Sequence, residues 1–267
     1  MPAELTIIIP ARNESQSLPK LLLSLSRQDY PHLRDTKVFV ADAASTDCTA
    51  AIAELIAMRL DLQLEVIPGG LPAVGRNAGA RRATTRYILF LDADVELADP
   101  TLLRRAMETM QRRFLHCLTT NIACIEGCTA DRLMFSMNNC VQRASRWVAP
   151  FATGMFMLFE TLEFNRLGGF DERALYAEDY LLTKQVSTRF FAVIPGSVQT
   201  SNRRFEKMGH SKVAWMFVKT AWNTRNTGYF LRDQGYWKSL PKSDISPRYS
   251  QSQRSAGAGG NTPHSAA

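Results

Sequence analysis

Apolar and polar positions come in alternating blocks along the first hundred residues. "LTIIIP" (5–10) is a short, β-branched run closed by Pro10, as expected of a strand buried on both faces. Leu18, Leu21, Leu22 and Leu25 then recur at steps of 3, 1 and 3, the apolar stripe of an amphipathic helix. "TKVFVAD" (36–42) predicts a second strand ending on Asp42. Cap-type residues Ser45, Thr46 and Asp47 open a predicted helix over 45–60 that carries Ile52, Leu55 and Ile56. "LQLEVIP" (62–68) predicts a third strand, "GGLPAVGRNAGARRAT" a glycine-rich turn into a helix, and "RYILFLDAD" a fourth strand. Strands and helices alternating over short loops predict a mostly parallel sheet flanked by helices.

The pattern continues less regularly. "TLLRRAMETMQRRF" (101–114) is a further helix behind Asp99-Pro100. The stretch 115–150 is compatible with a strand in "HCLTTNIACIEG" and a helix in "DRLMFSMNNCVQRASRWV". Residues 153–186 predict a strand, a helix, a break at Gly168-Gly169 and a second helix from about Glu178, followed by "RFFAVIPG" (189–196). Residues 243–267, rich in Ser, Gly, Ala and Pro, are expected to be disordered.

At 267 residues and 45% hydrophobic, the chain suits one large globular domain plus a small extension. No run approaches the roughly 18–20 apolar residues of a membrane span, and no secretory signal is visible. The five cysteines, Cys48, Cys117, Cys124, Cys128 and Cys140, lack the even framework of a disulfide scaffold. They read as reduced thiols of a cytoplasmic protein. Their spacings are not those of paired C-x-x-C zinc knuckles, so buried free thiols are the expectation. The net charge of +7 is local: nine Lys or Arg stand against Glu206 and Asp233 between Arg203 and Lys242, an excess equal to that of the whole chain. Trp215, Trp222 and Trp237 fall in the same segment.

Ligands of open α/β sheets sit beyond the carboxyl ends of the strands. Pro10 to Glu14, Asp42, and Asp92 with Asp94 all fall at such ends. Two carboxylates one residue apart repel each other unless a cation neutralises them, and oxygen ligands suit Mg or Mn shared with substrate phosphates. The same D-x-D also suits a solvated turn or a cap for the element after Pro100. Asp42 can accept from a nucleoside base or ribose hydroxyls, or shape a turn together with Asp47. "GRNAGA" (75–80) meets neither phosphate-loop fingerprint, though Arg76 can reach a diphosphate and Gly79 permits close helix packing. Glu178-Asp179 either favour a helix N-terminus or supply a general base. His210, between Lys207 and Lys212, is a second metal-ligand candidate.

"IIIPARNE", "VFVADAASTDCT", "GRNAGA", "FLDADV" and "GGFDE…AEDYLL", in this order and spacing, resemble family 2 glycosyltransferases with the GT-A fold over roughly residues 4–200. The resemblance implies an inverting transferase moving one sugar from a nucleoside-diphosphate sugar to an acceptor hydroxyl. It divides the chain into a nucleotide-sugar half (about 1–98), an acceptor half (about 99–200) and a helical, basic and aromatic extension (201–242). It implies that Pro10, Arg12, Glu14, Asp42, Arg76, Asp92 and Arg203 serve the donor, with Arg204 an alternative cation for the diphosphate. Asp94, with Asp92 as its partner, would bind manganese or magnesium, and Asp179 would act as base. The Q-x-x-R-W motif of processive members is absent, with "SNRRFEKMG" in its place, so single transfer is implied. A nucleotidyltransferase would carry a glycine-rich loop where "ARNES" stands. A non-catalytic reading would use 203–242 on anionic membrane or nucleic acid. Trp215, Val218, Trp222 and Arg225 follow helical spacing, which suits a membrane-surface helix or a core helix on the sheet. Peripheral contact with an anionic membrane fits a lipid-linked acceptor, and no nucleic-acid partner is expected.

Overall fold

The computed structural model describes residues 4–124, 126–224 and 226–232. Arg225, the end of the 203–242 segment with Trp237, and the 243–267 tail lie outside them, as does the side chain of Arg204. The strands are β1 (Leu5–Ala11), β2 (Lys37–Asp42), β3 (Gln63–Pro68), β4 (Tyr87–Phe90), β5 (Val95–Glu96), β6 (Cys117–Cys124), β7 (Met157–Glu160) and β8 (Phe191–Thr200). The helices are α1 (Leu18–Ser26), α2 (Thr49–Leu60), α3 (Pro72–Ala80), α4 (Leu102–Arg113), α5 (Thr129–Ser145), α6 (Thr161–Arg166), α7 (Glu178–Thr183), α8 (Arg203–Met208), α9 (His210–Trp222) and α10 (Thr227–Phe230).

The sheet runs β3-β2-β1-β4-β7-β6-β8-β5. Its first four strands are parallel, β7 runs against both β4 and β6, and β6 is parallel to β8. Period-two alternation explains why β1 is apolar throughout. Leu5, Ile7 and Ile9 join the leucines of α1 and α4 in one core, while Ile8 joins Phe39, Phe90, Phe159 and Phe164 in the other. Each such side chain contributes about 1.5–3 kcal/mol on burial. On the second face α3 lies against the strand itself, because a Cβ on Gly79 would sit 2.6 Å from Ile8 Cγ2.

Two boundaries differ from the sequence expectation. The fourth strand stops at Phe90, so Asp92 and Asp94 occupy the turn to the two-residue strand β5, which pairs antiparallel with β8. The helix expected from Ser45 starts at Thr49, because Ser45, Thr46 and Asp47 bond instead to the loop after β1. The stretch 115–150 resolves into β6 and α5. The extension is helical, and Trp215, Val218 and Trp222 (88% exposed) all face outward, so the stripe does not pack on the sheet as a core helix would. Only Cys117 of the five free cysteines is buried; Cys48, Cys128 and Cys140 are exposed, contrary to the expectation of buried thiols. No described helix is long and apolar enough to cross a membrane.

Candidate active site

Register places the loops. Ala11 is level with Asp42 and Asp42 with Pro68, while Phe90 is level with Ile8, so β1, β2 and β4 all release their chains at one edge. Pro10 is level with Ala41 there, and Arg12 is the first residue past β1. The β1 and β2 loops are stitched together: Asn13 N–H donates to Ser45 Oγ, Thr46 N–H to Asn13 Oδ1, and Glu14 N–H to Thr49 Oγ1. Asp42 accepts from the Ser45 backbone at 3.1 Å and its hydroxyl at 2.5 Å. Asp47 accepts from the backbones of Ser15 and Thr49. Burial, the largest single influence, opposes its ionisation, but the hydrogen bonds from Thr49 and Ser15 together prevail and lower its pKa to about 2.

Among the described residues, five non-glycine residues have positive φ. Asp61 and Phe114 are left-handed C-caps of α2 and α4. The other three, Asn13, Ala44 and Ala177, sit in the loops after β1 and β2 and immediately before Glu178. Such conformations cost about 1–3 kcal/mol each and cluster at functional sites.

The two aspartates of the D-x-D turn meet different cations. Arg76, only 3% exposed, holds Asp92 Oδ1 at 2.6 Å through Nη2 and Glu178 Oε1 at 2.7 Å through Nη1. Its guanidinium also packs on the Phe170 ring, 5.3 Å from the centroid. Arg203 donates to Glu14 Oε1 at 2.6 Å and Oε2 at 3.1 Å, and to Asp94 Oδ2 at 3.1 Å. Glu14, Asp94 and Arg203 therefore form one cluster, and Arg76, Asp92 and Glu178 another. Asp179 adjoins the second, accepting from Gly154 N–H at 2.9 Å and Tyr180 N–H at 2.7 Å. Burial and the neighbouring Glu178 charge push its pKa up to about 7, against the opposing pull of Arg76 and the two N–H donors. Asp179 is half-buried as a residue, and its carboxyl is strongly perturbed at the edge of the site.

His210 lies apart from this pair of clusters in its bonding, with Nε2 at 2.6 Å from Asp131 Oδ1. Two residues of the site escape the sequence reading. A Cβ on Gly154 would sit 3.0 Å from Arg76 Cζ and 3.2 Å from Asp92 Oδ1, so only glycine leaves room for the buried guanidinium. Asn77 exchanges hydrogen bonds with the Phe170 backbone, donating at 2.8 Å and accepting at 3.0 Å. "GRNAGA" thus joins α3 to the "GGFDE" loop; only its resemblance to a partner motif signals that. A cavity of about 640 Å³ lies behind that loop, lined by Leu167–Asp171 and by Leu181, Leu182, Lys184 and Gln185.

The model of Glycosyl transferase family 2 matches residues 6–165, more than half of the chain. The chain belongs to this family. Poly(ribitol-phosphate) beta-N-acetylglucosaminyltransferase TarS of Staphylococcus aureus is 36% identical over 100 residues, which is 36% of this chain and 17% of that protein. GalNAc(5)-diNAcBac-PP-undecaprenol beta-1,3-glucosyltransferase of Campylobacter jejuni is 29% identical over 121 residues, 43% of this chain and 38% of that one. This family member thus spans well under half the length of those relatives. The structure of S. aureus TarS with UDP-GlcNAc superposes with a TM-score of 0.60 at 23% identity, covering 75% of this chain and 59% of that one. Mannosyltransferase PcManGT from Pyrobaculum calidifontis, in complex with GDP-Man and Mn2+, superposes with a TM-score of 0.62 at 21% identity, covering 97% and 76%. The expected GT-A fold is therefore the fold of this family 2 chain.

Proposed function

We propose that this chain transfers one sugar from a nucleoside-diphosphate sugar to an acceptor hydroxyl, with inversion and with a divalent cation. The observation that carries the reading is Asp179: a carboxyl of raised basicity on a half-buried residue, beside the D-x-D turn at the strand-end edge. A base with pKa near the working pH is matched to taking a proton from a hydroxyl. The N–H groups of Gly154 and Tyr180 hold its two oxygens in place for that task. Asp42, at the end of β2, is placed to exchange its Ser45 bonds for those of a nucleoside.

The donor set at Glu14 and Asp94 consists of carboxylate oxygens around one half-exposed guanidinium, which suits a hard cation such as manganese or magnesium. When bound, such a cation offsets the charge of the departing diphosphate. Asp94 would hold it, while Asp92 is already neutralised by Arg76. Arg203 would turn from Asp94 to the diphosphate. Of the two neighbouring structures, one holds UDP-GlcNAc and the other GDP-Man with Mn2+, so uridine and guanosine donors are the first to try.

A membrane-surface acceptor is favoured by the surface beyond the site. Trp215, Val218 and Trp222 of α9, and Leu133, Met137 and Val141 of the contacting helix α5, are exposed. Exposed Arg132, Arg143, Lys212 and Lys219 lie on the same helices. Apolar side chains with interspersed cations fit an anionic bilayer surface, and the C. jejuni relative is named for a PP-undecaprenol compound. The test is a donor panel with and without manganese, followed by nucleoside-diphosphate release. Asp179→Asn and Asp94→Ala are each expected to abolish release while remaining folded. Pyrophosphate as product would establish nucleotidyl transfer instead. Full activity in either variant would remove that residue from its role. Flotation with anionic liposomes is expected to carry the protein, and no binding at low salt would end the membrane reading.

A further inference from the structure

One side-chain cluster outside the transfer site has the chemistry of a metal centre. Cys128 is the N-cap of α5, and Asp131 closes the capping box by accepting the Cys128 N–H at 2.9 Å. His210, at the start of α9, brings Nε2 to 2.6 Å from Asp131 Oδ1 and 4.0 Å from Cys128 Sγ. One sulfur, one nitrogen and one oxygen thus lie within 4.8 Å of one another. Asp131 is 2% exposed at its side chain, so a carboxylate is held here away from water. Its second oxygen is bonded by Asn202 Nδ2 at 3.3 Å, and the His210 ring is stacked on Phe205, 5.3 Å between centroids. The ligand groups are therefore oriented by neighbours, as metal ligands are.

We infer that Cys128, Asp131 and His210 bind a zinc-type divalent ion, with the fourth position left to water. Tetrahedral bonds of about 2.0–2.3 Å separate ligand atoms by about 3.3–3.8 Å. The Sγ to Nε2 distance is close to that already, and the 2.6 Å Asp131–His210 contact must open to admit the ion. A thiolate and an imidazole select zinc or cobalt over magnesium or manganese. This centre is thus chemically distinct from the all-oxygen set at Glu14 and Asp94. Its place in the fold gives it a purpose. It ties the β6–α5 loop to Asn202 and His210, which bracket α8, and α8 begins with the Arg203 that reaches Asp94 and Glu14. The ion would anchor the helix that closes the donor crevice. The inference does not depend on the sugar-transfer reading.

The test is cobalt titration of the full chain, stripped of metal and kept reduced. A near-ultraviolet thiolate-to-cobalt charge-transfer band is expected at one equivalent, reversed by zinc and unaffected by magnesium or manganese. The exposed substitution Cys128→Ser should remove the band, and His210→Ala should weaken binding about tenfold or more. Asp94→Ala should leave the band intact. Hydrogen exchange over 203–222 should slow when zinc is added. A wild-type protein that shows no band overturns the proposal, as does a band that survives Cys128→Ser but not Cys140→Ser. Unchanged exchange over 203–222 overturns the anchoring role.

Discussion

Replacing Arg76 by Met separates an internal counter-ion from a donor-binding cation. The guanidinium makes two contacts of 2.6 and 2.7 Å with Asp92 and Glu178 while 3% exposed. At an effective dielectric near 20, each contact is worth about 6 kcal/mol of Coulomb attraction, offset by several kcal/mol of desolvation. Removing one member of a buried pair costs about 3–5 kcal/mol, because the remaining charges lose their partner. For a chain of this size that is a melting-temperature loss on the order of 10 °C. The same change raises the Asp179 pKa further, since Arg76 is the charge that pulls it down. The acid limb of the kcat–pH profile should then move up by about one unit or more. Thermal melting and a pH–rate profile on a saturating donor read both effects. An unchanged melting temperature and an unmoved acid limb, alongside a tenfold or greater loss of donor affinity, would refute the counter-ion role. Arg76 would then be a diphosphate ligand, as the sequence resemblance implies.

Other outcomes follow from the same geometry. In wild type, activity should rise with pH as Asp179 loses its proton near pH 7. Its folded pKa exceeds the unfolded value of 3.8, so this group's contribution to stability falls as pH rises from about 4 to about 7. Asp179→Asn should therefore gain melting temperature relative to wild type between pH 5 and pH 8, and a constant difference would contradict the shift. Gly154→Ala places a methyl against Arg76 and Asp92, so about 1–3 kcal/mol of stability should be lost, with the acid limb moving as in Arg76→Met. Gly79→Ala should cost a similar amount by pushing α3 off Ile8 while leaving the pH profile alone. Asp47→Ala should cost about 1 kcal/mol at neutral pH, and less as pH falls from about 4 to 2 while the wild-type carboxylate is protonated. Denaturant melts at both ends of that range check it.

The legibility of the chain follows from the range of the interactions involved. The alternation within "LTIIIP" and the leucine spacing of α1 are local, and both report burial directly. The strand-end position of Asp42 and of the D-x-D turn follows from them. What the sequence does not express is pairing across distance. Arg76 meets Asp92 and Glu178 from 16 and 102 residues away, and Arg203 meets Glu14 from 189. Nothing in "GRNAGA" or "SNRRF" says which acid each arginine faces. Gly154 shows the same limit, since its role depends on where the Arg76 side chain ends. The strand β5 has two residues and no period to detect. The exposed Trp stripe of α9 has helical spacing whether it meets core or solvent, and only the fold decides.

The burial of the two arginines orders the crevice. Arg76 is enclosed, and displacing it leaves Asp92 and Glu178 without a counter-charge at a cost of several kcal/mol. Arg203 is 40% exposed, and ion pairs so open to water are worth about 1 kcal/mol or less. Under the proposed reading, an arriving diphosphate and its cation would therefore dislodge Arg203 but not Arg76. Two adjacent acids in one turn thereby acquire opposite duties under the proposed reading. Asp94 faces the exchangeable cluster, where a ligand can replace its partner. Asp92 faces the permanent one, where it fixes Arg76 beside Asp179 and so moderates how basic that carboxyl becomes. Asp92 and Asp94 each face a separate guanidinium, and under the proposed reading the Asp94 side is the one open to exchange.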